Sequence, residues 1–346
     1  MVGAPNAVCL CADKNMLVPA LFVADSVRRA ASSGVQNFDV MIFTPPGDAA
    51  DDFRQWAAGR GISLRDDLDL SQLQDVKILQ RRLSRAALMR LLVPVSVAGQ
   101  YRRILHLDAD LTIHDDVGVL FELDMADTAV AAVPAGRVPA AERLEVWDWW
   151  RSHFEALGMT YPYRYFNAGV MLIDTEKWVR DDLTTRALEF IMQNGPICFY
   201  LEEDALNAVL DGAITELSPI WNFRPKEQTL RRLIQPVIVH YAGRSKPWKR
   251  FGRSKRLFEN LDAFRLYEAF IRESPWPDWL ATQWTVRDLV ASLRAEAKYH
   301  LAAFSRSRAN MDTLVETLFR EYFEGAAFAD VEQGIAVREN GTLRLA

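Results

Sequence analysis

Short apolar runs alternate with stretches of helical periodicity through the first part of this chain, and that alternation constrains its fold more than any other feature. Ala7 to Ala12, Phe38 to Phe43 (FDVMIF), Ile62 to Leu64, Arg103 to Leu107 (RILHL) and Thr128 to Val133 (TAVAAV) read as buried strands. Leu17 to Ala31, Asp51 to Arg60 and Ser84 to Val93 repeat their apolar residues at helical spacing, and Pro94 is expected to end the third. Strands without polar alternation are buried on both faces, and a strand–helix–strand order builds a parallel sheet covered by helices. With 346 residues, 50% of them hydrophobic, the chain can form one large α/β domain and an appendage.

Ligands of such sheets collect beyond the carboxyl ends of the strands. Asp13 and the pair Asp108 and Asp110 occupy ends of this kind. Only Ala109 separates the pair, and residues i and i+2 of an extended chain project to the same side, so both carboxylates can face one cation. Hard oxygen donors suit Mg²⁺ or Mn²⁺. The alternative is an acidic turn after a strand. His240 follows the apolar run Pro236 to Val239, where a neutral imidazole can complete such a site. The segment continues as HYAGRSKPW, with Gly243 allowing close backbone approach to a phosphate and Lys246 adding positive charge.

Two further segments carry polar groups that packing does not demand. In YFNAGVMLID, Asn167 offers amide donors and an acceptor suited to sugar hydroxyls, and Ala168 and Gly169 leave room for a ligand. In LEEDALN, Glu202, Glu203 and Asp204 open a helix at its positive end. The functional alternative there is a carboxylate beside a reacting sugar carbon.

Several classes are excluded or disfavoured. A formal charge of −5 argues against a dedicated nucleic-acid binder. The three cysteines, Cys9, Cys11 and Cys198, cannot build a disulfide framework and read as reduced thiols, which favours a cytoplasmic compartment. No basic n-region or run of about 20 apolar residues is present, so the protein is expected to be soluble or peripheral on the cytoplasmic membrane face. Asp108 to Thr112 also fits the DxDxT of haloacid-dehalogenase-like phosphatases, which need a later GDxxxD; here Gly47, Asp48 and Asp52 come earlier, so the order is reversed.

Taken in chain order, the strand leading into Asp13 and Asn15, Arg90 in ALMRLLVP, then LHLDAD, FNAGVMLID, EEDALN and HYAGRSKPW resemble glycosyltransferase family 8. That family comprises retaining, metal-dependent enzymes, among them bacterial lipopolysaccharide galactosyl- and glucosyltransferases and glycogenin. The resemblance runs from about Val8 to Trp248. It implies an α/β, GT-A-like, Rossmann-type nucleotide-diphospho-sugar transferase fold. It also implies a UDP-hexose donor, Mn²⁺ as the usual ion, and transfer of glucose or galactose to a saccharide or glycolipid acceptor in lipopolysaccharide or surface polysaccharide synthesis. By motif, Asp108, Asp110 and His240 would hold the metal. Asp13, Asn15, Ala109, Gly243 and Lys246 would contact the nucleotide or its diphosphate, and Arg90, Asn167 and Glu202 would face the donor sugar. There is one departure. The family commonly reads Asp-Gln-Asp where this chain has Glu202-Glu203-Asp204. Glu203 can stabilise an oxocarbenium-like state, act as a nucleophile, or mark a protein that binds sugar nucleotides without transferring them.

Beyond Leu257 the strand signals stop, so 257–346 read as a mainly helical extension to a catalytic domain at 1–256. From Arg244 to Arg256 stand seven basic residues and no acid, interleaved with Trp248 and Phe251, which reads as a patch for anionic lipid or a phosphorylated acceptor. Trp147, Trp149 and Trp150 read as a helix face packed into core, with stacking on an acceptor sugar as the alternative. Val286 to Phe304 reads as a helix that docks on the catalytic domain or on a membrane surface.

Overall fold

A computed structural model of the chain describes residues 5–31, 38–78, 85–135, 145–224, 233–243, 246–249, 261–283, 285–303, 326–339 and 341–346. Its strands are β1 (Asn6–Cys11), β2 (Phe38–Phe43), β3 (Ile62–Arg65), β4 (Arg103–Leu107), β5 (Leu111–Ile113), β6 (Val130–Pro134), β7 (Phe166–Asp174), β8 (Thr215–Glu216) and β9 (Ile238–His240). The helices that matter for the site are α1 (Leu17–Ala30), α2 (Asp51–Ala58), α3 (Arg85–Val97), α4 (Glu145–Ala156), α5 (Thr175–Arg180), α6 (Leu183–Asn194) and α7 (Glu202–Leu210).

Seven strands form one sheet in the order β3-β2-β1-β4-β7-β6-β8. The first four are parallel, as the strand–helix alternation requires. Then β7 inserts antiparallel to both β4 and β6, so the sheet is mixed. Hydrophobicity does not encode this reversal, because a strand buried on both faces is apolar whichever way it runs. Alternation within β1 shows the layering: Val8 and Leu10 join the core on the α1 side, Ala7 and Cys9 the core on the α3 side.

Two expectations change. Pro94 does not end α3, which continues to Val97. The missing N–H deprives one carbonyl near the helix end, while Pro94 and Val97 both stay buried against the sheet. Strand signals do not stop at Leu257 either, although the described residues beyond it are mainly helical. This stretch holds a hairpin of β10 (Ala336–Glu339) and β11 (Thr342–Leu345), and Leu343 joins the α1-side core. The dipeptide Asn340-Gly341 in the sequence is a hairpin signal in its own right.

That stretch also shares its packing with the sheet. α8 (Leu261–Arg272) stacks Tyr267 on Phe22 of α1 with ring centroids 3.7 Å apart. The single-turn helix Ala329–Glu332 buries Asp330 completely. Its carboxylate accepts from Ser218 N and Trp221 Nε1, both at 2.8 Å, and from Ser218 Oγ at 2.5 Å. Among the described residues, no helix is long and apolar enough to cross a membrane.

Candidate active site

The site forms where β4 runs out. After Leu107 the chain continues through Asp108, Ala109 and Asp110 into β5, which pairs antiparallel with β9 and sets Leu111 opposite His240. Tyr241 N donates to Asp110 O at 2.9 Å and locks this register. His240 Nε2 is thereby 3.3 Å from Asp110 Oδ1 and 3.7 Å from Asp108 Oδ2. One ligand atom from each of the three lies within 4.8 Å of the others. Two carboxylates and an imidazole with a bare nitrogen fit a small divalent cation.

Gly169 of β7 floors this triad. A Cβ at that position would stand 2.3 Å from His240 Cε1 and 2.8 Å from Asp108 Oδ2, so a side chain there would displace the ligands. Burial alone would raise both aspartates, but neighbouring cations win. Arg90 Nη2, 2.7 Å from Asp108 Oδ1, holds that carboxyl well below its usual range. Lys246, hydrogen-bonded to Asp110 Oδ2, does the same for Asp110, with help from His240. Beneath them His106 is pushed down to about 4 by burial and by Arg90, so it is neutral near pH 7.

The structure places Arg90 and Glu202 behind this triad. The Arg90 guanidinium donates to Asp108, to Ala168 O at 3.1 Å and to Ala87 O at 3.1 Å, and stands 3.4 Å from the buried Glu202. Any influence on a ligand therefore passes mainly through Asp108. Glu203 is the more open acid. The chain enters α7 through buried Leu201, whose φ of 49° is strained for a leucine. Glu203 then accepts from Asn167 Nδ2 at 2.7 Å, Ala168 N at 3.0 Å and Tyr165 OH at 3.1 Å. Burial pushes its carboxyl up to about 7, with the Ala168 N–H opposing.

At the neighbouring strand end, Asp13 Oδ1 accepts from Asn15 N at 3.0 Å, and both residues lie on the turn after β1. Because Leu10 pairs with Leu107, this turn opens on the same sheet edge as Asp108. Ala109 is buried between the two aspartates. Gly243 sits at φ 104° in the loop after His240, and among the described residues nothing lies within 4 Å of the position a Cβ would take. The acids of the reversed GDxxxD have other partners: Asp48 accepts from Lys14 N and Asp52 from Trp276 Nε1, both at 3.0 Å.

Two polar side chains of the network, those of His153 and Asn222, lie outside the sequence motifs. Asp204 is fully buried and accepts from Tyr165 OH, Tyr200 N and the His153 ring. Asn222, between β8 and β9, links His240 to Asn167. A single asparagine in the apolar IWNF stretch was the available signal, since a buried amide needs partners.

The aromatic and basic clusters resolve differently from expectation. Trp150 is partly buried and stacks on Tyr200 at 5.8 Å, but Trp149 is 47% exposed and lies on His153 and near Phe199. Core packing therefore does not account for Trp149, and the Trp147 side chain lies outside the described residues. Trp248 is buried against Tyr267 and Trp279, so it is a core anchor and not an interfacial aromatic. Of the basic run, Lys246 and Lys249 are described, while Arg244, Arg250, Phe251, Arg253, Lys255 and Arg256 lie outside the described residues. The helix α9 (Val286–Ala303) exposes Val286, Val290 and Leu293 at helical spacing, and Phe304 lies outside the described residues.

Residues 7–252, which contain every one of these strand-end groups, match the family described as glycosyl transferase family 8. The chain belongs to glycosyl transferase family 8. As a family 8 member it is 31% identical over 184 residues to general stress protein A of Bacillus subtilis, covering 48% of this chain and 60% of that protein. It is 29% identical over 210 residues to a lipopolysaccharide 1,2-glucosyltransferase of Escherichia coli, covering 56% of each. A lipopolysaccharide 1,3-galactosyltransferase of Salmonella typhimurium is 26% identical over 178 residues, 48% of this chain and 50% of that enzyme. The chain thus spans about half to three-fifths of the curated relatives it matches. The galactosyltransferase LgtC, solved with donor and acceptor sugar analogs, superposes with a TM-score of 0.63 at 23% identity, over 76% of this chain and 95% of that one. The fold is therefore that of the GT-A glycosyltransferases, as the motif order implied.

Proposed function

We propose that this protein is a retaining hexosyltransferase that moves glucose or galactose from a UDP-sugar to a saccharide or glycolipid acceptor, in lipopolysaccharide or surface polysaccharide synthesis. The observation that carries this reading is the convergence of Asp108, Asp110 and His240 at the end of β4, beside the acid–amide cluster of Asn167 and Glu203. The three ligands would hold Mn²⁺. When bound, that ion supplies a Lewis acid to the diphosphate of the donor, an effect worth several kcal/mol of charge stabilisation.

The chain's own residues do the remaining work. Arg90 keeps Asp108 ionised and turned toward the ligands. Lys246 adds fixed positive charge where UDP leaves, and the backbone at Gly243 lets phosphate approach. Asp13 and Asn15 meet the uridine or ribose. Asn167, Ala168 N–H and Tyr165 hold Glu203 in one orientation, and its carboxylate stabilises positive character at the anomeric carbon. The acceptor hydroxyl attacks from the face that UDP leaves, which retains configuration. Trp149, Phe199 and Tyr200, all exposed and linked through Trp150 and Tyr165 to Glu203, offer flat apolar faces to the acceptor saccharide. The Val286–Val290–Leu293 stripe, flanked by exposed Arg287 and Arg294, would rest on an anionic membrane face of the cytoplasm.

The test is a panel of UDP-sugars incubated with the purified chain, with and without Mn²⁺, following UDP release. Mn²⁺-dependent release from one sugar is the expected result. UDP binding with no release, even with saccharide acceptors present, would leave a sugar-nucleotide-binding protein. No UDP binding at all would overturn the donor assignment.

A further inference from the structure

Glu203 Oε2 takes two N–H donors, Asn167 Nδ2 and Ala168 N, so as a carboxylate, or with its proton on Oε1, the acid presents Oε2 as an acceptor only. Asn167 must then turn its oxygen away from Glu203. That oxygen receives Gly169 N at 3.3 Å and Asn222 Nδ2 at 3.1 Å. Asn222, having spent its NH₂ on Asn167, presents its own oxygen to His240 Nδ1 at 2.9 Å. Nδ1 must therefore carry a hydrogen. In the neutral ring Nε2 is then the nitrogen without a hydrogen, and it faces Asp108 and Asp110, where a cation would take its lone pair.

We propose that Asn222 is a positioning residue through which Glu203 sets the tautomer of His240. Four side chains form a one-way chain of hydrogen bonds, from His240 to Asn222 to Asn167 to Glu203, and each step follows from the one before. The burial of His240 and Asn222 denies those two side chains a competing water. The acid at position 203 gives the chain its direction. A glutamine there keeps that direction only while its oxygen, and not its NH₂, faces Asn167 and Ala168 N, so the tautomer of His240 would depend on which way that amide turns. The departure from Asp-Gln-Asp thus acquires a role at the cation site, across the network from where it lies in sequence. This inference rests on the reading of Asp108, Asp110 and His240 as a cation site.

The experiment uses the full chain and two readouts. The first is Mn²⁺ binding alone, by calorimetry, with no donor present. Asn222→Ala should weaken it by about 10–100-fold, the usual cost of losing a group that orients a metal-bound histidine. Asn222→Asp still accepts from Nδ1–H and should keep Mn²⁺ affinity within about threefold. The second readout is thermal melting without metal. Asn222→Asp sets an acceptor against Asn167 Oδ1, forces that amide to turn, and sets its oxygen against Glu203, so the melting temperature should drop. Adding Glu203→Gln supplies a donor to the turned amide and should recover part of that drop. Unchanged Mn²⁺ affinity in Asn222→Ala overturns the positioning role. Additive melting shifts for Asn222→Asp and Glu203→Gln overturn the one-way chain. A wild-type chain that takes up no Mn²⁺ overturns the cation reading itself, and the melting cycle still decides the chain without it.

Discussion

Two stretches of the same sheet edge are built in opposite ways. After β1, Asp13 and Asn15 bond to each other through a local turn. After β4, Asp108, Asp110, His240, Asn222, Asn167 and Glu203 form one connected network that is largely buried. The first stretch can adjust when a ligand arrives. The second is held before any ligand arrives, which is what electrostatic stabilisation of a transition state requires. In the proposed reading, donor binding falls to the first end and bond-breaking to the second.

Substitutions should separate the two ends. The largest effect belongs to Asp108→Ala or Asp110→Ala, each expected to cut Mn²⁺-dependent UDP release by at least about 10²–10³-fold; full activity in either would remove the cation site from the argument. Next comes the Glu203 acid in metal-free protein. Its carboxyl holds its proton to about 7 in the folded chain against 4.5 ordinarily, because it is buried. The folded state then binds the extra proton, so stability is greatest below that window and falls as pH rises through it. Between pH 5 and 8 the melting temperature of the wild type should fall by about 2–5 °C more than that of Glu203→Gln. Parallel pH profiles would show that the acid is not perturbed.

Smaller effects test the adjustable end. Asp13→Ala should raise the donor KM by about 3–10-fold, the worth of a hydrogen bond or two, with kcat nearly kept. A matching loss of kcat would show that this end is as preorganised as the other. Smallest is Trp149→Ala, expected to raise the acceptor KM by about 2–10-fold and leave acceptor-free UDP release unchanged. A shift in donor KM instead would place this tryptophan on the wrong substrate.

Much of the frame is legible from residues alone. β1, β2 and β4 are apolar runs that only a doubly covered sheet can bury, and their ends mark Asp13 and the aspartate pair. The direction of β7 is not legible, because burial reads the same in both directions. Pro94 misleads, because near a helix end it costs one hydrogen bond and packing outweighs that loss. Arg90 and Glu202 are legible only through the family motifs, and Asn222 joins the network through contacts distant in sequence, such as the Asn222–Asn167 bond across 55 positions. Chemistry at a motif can be read from spacing, whereas the partners that orient it depend on how the sheet closes.

Asp330 ties this orientation to the order in which the polypeptide is made. Its carboxylate grips Ser218, 112 positions earlier, and Trp221, the residue just before Asn222. A ribosome adding roughly 5–20 residues per second needs about 6–22 s to travel that distance. Throughout that interval the nascent loop that carries Asn222 lacks this one carboxylate, although Asp108 and Asp110 were synthesised long before. The contacts that seat this loop are therefore completed late in synthesis.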